Sequence, residues 1–176
     1  MKSLIVYSSQ TGNTRKLAQA VFEALPGEKA LYPVDDAPDP SDYGFIAYGF
    51  WFMKGKPDPK SSEYLGKIGK KPLFLFATHG AGGGSDHAIH GMEVAKLLAY
   101  DANIQGTYSC QGEVDPKFLE KVSNKPEPPT WLADARDANG HPDSADIEVL
   151  VHQISELFAG PGAGLRSKRI AFELMC

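Results

Sequence analysis

Cysteine is nearly missing from this chain: Cys110 and Cys176 are the only two. A lone, widely separated pair excludes a disulfide scaffold, so both are read as free thiols. Long hydrophobic runs are missing too. No apolar stretch approaches the roughly 20 residues of a membrane span. Ser8, Ser9, Gln10 and Thr11 interrupt the first apolar run too early for a signal peptide. The expectation is a cytoplasmic protein without membrane contact. Positive charge is not in excess: the net charge is -4 and the pI about 5.7, which leaves no broad basic footprint for nucleic acid. Two phosphate signatures are also lacking. There is no G-x-x-x-x-G-K-[ST], and neither "GAGGGS" nor "GPGAGL" satisfies G-x-G-x-x-G, which weakens ATP hydrolysis and dinucleotide binding.

What is present is alternation. Leu4 to Tyr7 reads as a short buried strand, followed by Leu17, Ala18, Val21, Phe22 and Leu25 on one helical face, with Pro26-Gly27 as the stop. Further strands are read at Lys29 to Val34, Tyr43 to Tyr48, "PLFLFAT" (72–78) and Ile104 to Cys110. Helices are read around Ser61 to Ile68, from Ile89 to Leu98, and over 144–158. Such alternation predicts an α/β fold in one domain, 1–159, with a parallel sheet covered on both faces. The best-fitting plan is a doubly wound five-stranded sheet in the flavodoxin-like order 2-1-3-4-5, with ligands outside the carboxyl ends of the strands. Loops 8–14, 49–59 and 78–86 fall there. Outside this plan lie a Pro-rich, irregular insertion at 112–142, containing Trp131, and a tail, 160–176, whose packing the sequence leaves open.

The first loop runs Ser8-Ser9-Gln10-Thr11-Gly12-Asn13-Thr14, between a strand and a helix. A helix N-terminus leaves N–H groups unpaired and carries partial positive charge, so it stabilises a phosphate without a lysine. Ser9, Thr11 and Thr14 add hydroxyl donors, and Gly12 allows close backbone approach. Helix capping alone needs one such residue, and this loop has many.

The segment Ser9 to Thr14 resembles, position for position, the flavodoxin phosphate-loop motif [ST]-x-T-G-x-T that holds the 5′-phosphate of FMN. The resemblance covers residues 2 to about 111 and resumes at the last helix. The pieces "FATHGAGGGSDHA", "SCQG" and "GHPDSADIE" are similar to a branch of flavodoxin-like proteins, some of which reduce small molecules such as bilins.

In that frame "YGFWFMKGKPDP" is the second flavin loop. Trp51 is the expected stacking residue, with Phe50 and Phe52 as substitutes, although core packing suits the two phenylalanines better. The third loop contributes Thr78, His79, Gly80, Ala81 and Gly82, whose backbone N–H groups are expected on the flavin N1–C2=O edge. Many flavodoxins carry an aromatic residue here. None occurs between Thr78 and Ala88, which leaves the outer ring face open or covered by His79, Trp131 or a second subunit.

His79, His87, His90 and Cys110 do not match a zinc spacing, and no metal is expected. His79 is read as a loop hydrogen-bonder or a proton donor. Lys54, Lys56, Lys60, Lys67, Lys70 and Lys71 form either a solvated face or a docking patch for an acidic partner. No catalytic residue is assigned. The resemblance implies an FMN-dependent electron carrier working between redox partner proteins, a donor and an acceptor. The alternative is an FMN-dependent reductase of a small molecule such as a quinone or tetrapyrrole. A phosphoryl-receiver domain is weakened because "VYSSQTG" lacks an acidic cluster after the first strand.

Overall fold

The computed structural model describes residues 1–128 and 130–159; the tail 160–176 lies outside the described residues. Strands β1 (Ser3–Tyr7), β2 (Lys29–Pro33), β3 (Phe45–Met53), β4 (Lys56–Pro57), β5 (Pro72–His79) and β6 (Asn103–Gln111) build one sheet. The order is β2-β1-β3-β5-β6, parallel throughout, with β4 turned back antiparallel on β3. Setting that hairpin strand aside, this is the doubly wound order 2-1-3-4-5. The helices are α1 (Asn13–Ala24), α2 (Pro59–Leu65), α3 (Asp86–Leu98), α4 (Pro116–Ser123), α5 (Leu132–Asp137) and α6 (Ser144–Phe158).

Period-2 geometry sorts the apolar strand residues onto two faces, because successive side chains leave a strand on opposite sides. Ile46, Tyr48 and Phe50 of β3 join Leu73, Leu75 and Ala77 of β5 in the core under α2 and α3. Phe45, Ala47, Phe74 and Phe76 join Leu17, Val21, Leu150 and Ile154 in the core under α1 and α6. Burial on both faces is why these strands read as unbroken apolar runs. Among the described residues no helix is long and apolar enough to cross a membrane.

Three expectations shift. The third strand does not stop at Tyr48: it continues through Met53, and the chain turns only at Lys54-Gly55. Gly49 looked like the start of a loop, but it is a strand residue. A Cβ there would lie 2.2 Å from the Phe76 ring, so the glycine makes room for that ring. The insertion 112–142 is not simply irregular, since it holds α4 and α5. Helix α2 begins earlier than read, at Pro59, capped by Asp58.

Candidate functional site

The carboxyl ends of β1, β3, β5 and β6 converge where the sheet order reverses. The β3–β5 register sets Trp51 beside Thr78, and the β5–β6 register sets His79 beside Gln111. Alternation then decides direction. Trp51 and Thr78 fall on the α1 face, with Ala47 and Phe76, while Phe52 and His79 fall on the α2/α3 face.

On the α1 face the first loop stands open. Gly12 takes the N-cap position of α1 at φ 97°, with no atom within 4 Å of a built Cβ, and no side chain caps the helix. Helices α2, α3, α4 and α6 are capped by Asp58, Ser85, Asp115 and Asp143. The hydroxyls around Gly12 are therefore not spent on capping. Ser9 Oγ accepts from Gly12 N–H (3.2 Å) and Thr11 Oγ1 accepts from Asn13 Nδ2 (3.1 Å), so each keeps its own proton to donate. The buried Thr14 and Thr78 hydroxyls share one bond at 2.9 Å, which leaves one proton free between them. Gln10 and Thr11 are exposed. Donors without acceptors at an uncapped helix end suit a dianionic group such as the FMN phosphate.

Two first-loop residues are engaged elsewhere. Ser8, expected in the cradle, is buried; its hydroxyl donates to Asp58 Oδ1 at 3.0 Å and its N–H to Gly49 O at 2.9 Å. Asn13 ties the loop to the end of β6, donating to Glu113 O at 2.8 Å.

The aromatic candidates separate. Phe50 is fully buried, stacked between Tyr48 and Phe52, and is removed from any ring-binding surface. Phe52 stacks on His79 at 5.1 Å and its ring fills the space beside Gly91. Trp51 is half-buried on the α1 face, in a strand rather than the loop expected.

Two groups of the third loop are engaged by the protein itself. His79 is 5% exposed, and its Nδ1 is 2.9 Å from Ala81 O, an oxygen that can only accept. Nδ1 therefore carries the proton, and Nε2 is a buried lone pair with no partner among the described residues. Burial pulls the imidazole down to about 4, with the Ala81 bond opposing and His87 adding to the fall. A neutral ring with its proton committed to Ala81 cannot serve as the proton donor considered from sequence. Gly82 N–H, expected on a flavin edge, donates to Asp134 Oδ2 of α5 at 2.9 Å. Gly80 faces the insertion: a Cβ there would sit 2.9 Å from Val114 Cγ2 and 3.6 Å from the Trp131 ring. Trp131 in turn stacks on Phe118 of α4, the rings 5° from parallel.

The remaining candidates resolve without a site. His79, His87, His90 and Cys110 form no ligand cluster; among the described residues the set that comes together is His141, Asp143 and Asp146. Asp143 and Asp146 of that set are the reciprocal cap of α6, and His141 Nδ1 lies 2.6 Å from Asp146 Oδ2. Cys110 is buried, and burial pushes its thiol up to about 12, far from a reactive thiolate. Of the lysine run, Lys60 pairs with Asp35, Lys67 with Glu63, and Lys71 donates to Ser41 O and Tyr43 O. Lys54 and Lys56 stand apart on the exposed hairpin tip.

Residues 4–155 match the Flavodoxin domain family. The chain belongs to that family. It is 30% identical to the flavodoxin-like domain-containing protein BilS of Clostridioides difficile (strain CD3), covering 84% of this chain and 90% of that one. It is also 30% identical to BilS of Clostridium symbiosum (strain WAL-14163), covering 94% and 99%. A Streptococcus pneumoniae TIGR4 flavodoxin shares the fold at 15% identity and a TM-score of 0.60, covering 92% of this chain and 100% of that one. A Lactobacillus acidophilus flavoprotein solved in complex with FMN does so at 18% identity and 0.52, covering 69% and 98%.

Sequence reasoning missed Asp58, Glu113 and Asp134. Asp58-Pro59 did carry a helix-start signal, aspartate before a proline at the first helical position. Nothing local marked Glu113 or Asp134, whose partners are remote in sequence.

Proposed function

We propose that this chain binds FMN noncovalently and transfers electrons between redox partner proteins, a donor and an acceptor. The observation that carries the reading is the uncapped N-terminus of α1, ringed by Ser9, Thr11 and Thr14 hydroxyls with protons to give. Ser9, Gln10, Thr11, Gly12, Asn13 and Thr14 would surround the phosphate, and Trp51 and Thr78, on the same face, would lie toward the ring. When bound, FMN supplies the one- and two-electron chemistry, and the chain supplies orientation and access. His79 holds its loop in shape as a neutral group.

Calorimetry with FMN and riboflavin tests this. FMN should bind at least about a hundredfold more tightly, because riboflavin leaves charge-seeking donors unmatched. Equal affinities would remove the phosphate assignment.

The second reading, an FMN-dependent reductase of a quinone or tetrapyrrole, draws support from Trp131 and Phe118. The insertion brings an aromatic pair over a loop that has no aromatic of its own. If the reduced protein alone turns over such an acceptor, and Phe118→Ala slows turnover without changing FMN affinity, the reductase reading replaces the carrier.

A further inference from the structure

Asp58 is 2% exposed, a carboxylate held inside the protein at heavy desolvation cost. Capping α2 requires only one acceptor, and Asp58 Oδ1 provides it to Ser61 N–H at 3.3 Å. The side chain does considerably more. The same Oδ1 accepts from Ser8 Oγ at 3.0 Å, and Oδ2 accepts from Ser61 Oγ at 2.5 Å. Ser61 Oγ accepts in turn from Tyr48 OH at 3.0 Å, so hydroxyl protons run inward from β3 to the carboxylate. Asp58 N–H donates to Trp51 O at 3.1 Å. One residue thus joins the end of β1, the strand carrying Trp51 and the first turn of α2.

The donors explain the residue type. Ser8 Oγ–H, Ser61 Oγ–H and Ser61 N–H all point at the same group, and a carboxylate is acceptor-only, so it satisfies all three at once. Ser8 is also fixed by its own N–H to Gly49 O, and the cradle Ser9 to Thr14 starts at the next residue. Its position follows from that double anchor.

We propose that Asp58 is a positioning residue for phosphate recognition: through Ser8 it presets the first loop against the Trp51 strand, so that the hydroxyls of the cradle stand in place before an anion arrives. The inference rests on the FMN reading above. It assigns Asp58 no contact with the ligand; the effect passes through Ser8.

The experiment measures FMN and riboflavin affinities and melting temperatures for the full chain and for Ser8→Ala, Asp58→Ala and Asp58→Asn. Ser8→Ala cuts the anchor and leaves the carboxylate with both Ser61 donors, so it should fold even if Asp58→Ala does not. In Ser8→Ala the ratio of FMN to riboflavin affinity should fall roughly tenfold while riboflavin affinity stays within about twofold. Asp58→Ala should lose as much or more. Asp58→Asn, which keeps an acceptor oxygen toward Ser8, should restore most of the ratio. A merely structural brace would weaken both ligands equally, and that result, or an unchanged ratio in Ser8→Ala, overturns the proposal. If the unmodified protein binds FMN and riboflavin alike, the FMN reading itself has failed, a result seen without any variant.

Discussion

The first and third loops both leave the carboxyl edge of one sheet, joined by the Thr14–Thr78 hydroxyl bond, and both are rich in small residues, yet several of their donors are in opposite states. Around Gly12 stand an uncapped helix end and the Ser9 and Thr11 hydroxyls, whose protons have no acceptor among the described residues. Around residues 78–86 several donors are spoken for: His79 Nδ1 by Ala81, Gly82 N–H by Asp134, and the α3 end by Ser85. Glycine itself differs between them. Gly12 is needed for its left-handed φ of 97°, whereas Gly80 is needed because Val114 and Trp131 occupy the space of a side chain.

The largest test of that contrast is acid. His79 is held neutral at about 4 by burial, while the unfolded chain protonates it near 6.5, so in this window the unfolded state binds more protons. Stability contributed by the neutral ring is complete above pH 6.5 and is lost as pH falls to 4. The loss is worth about 3 kcal/mol. Denaturant titrations at pH 7 and 4.5 should show it, and His79→Asn should flatten that part of the profile. An unaltered profile would mean that the third loop is not built around the imidazole.

Next in size, one substitution in each loop should give crossed results. Thr11→Ala should weaken FMN by about 1–3 kcal/mol and leave the melting temperature of the apoprotein nearly unchanged, because the one internal bond it removes, from Asn13 Nδ2, is exposed to water and Asn13 keeps its bond to Glu113 O. Asp134→Ala should cost about 1–2 kcal/mol of stability, since it strands Gly82 N–H. Calorimetry and thermal melts on both variants decide the pattern.

Gly80→Ala sharpens the distinction between space and conformation. Its Cβ would press on Val114 Cγ2, and crowding of this kind costs about 1 kcal/mol or more, read as a lower melting temperature. The smallest expected effect is a gain. Lys54 sits at φ 54° in the hairpin turn, and Lys54→Gly should stabilise by up to about 1 kcal/mol by removing a Cβ from the left-handed region.

The sequence by itself determined the strand and helix order, because apolar periodicity is local and each amphipathic face can be read without knowing its partner. Helix α6 was legible over 144–158, and Ser9, Thr11 and Thr14 around Gly12 were legible as more hydroxyls than helix capping needs. Some placements were hidden even locally. Phe50, Trp51 and Phe52 looked like a loop beginning at Gly49, but whether that glycine bends the chain or makes room for Phe76 is settled only by the neighbouring strand. The state of each donor was decided wholly by tertiary structure. Ser8 and Ser9 are the same residue type side by side, yet the Ser8 hydroxyl donates to Asp58 while the Ser9 hydroxyl only accepts, from Gly12 N–H. Asp134 likewise took the Gly82 N–H from a segment that sequence placed outside the fold's plan. Hydroxyl and amide protons are satisfied by whichever acceptor the folded chain brings within about 3 Å, and that distance is set by packing between segments far apart in sequence.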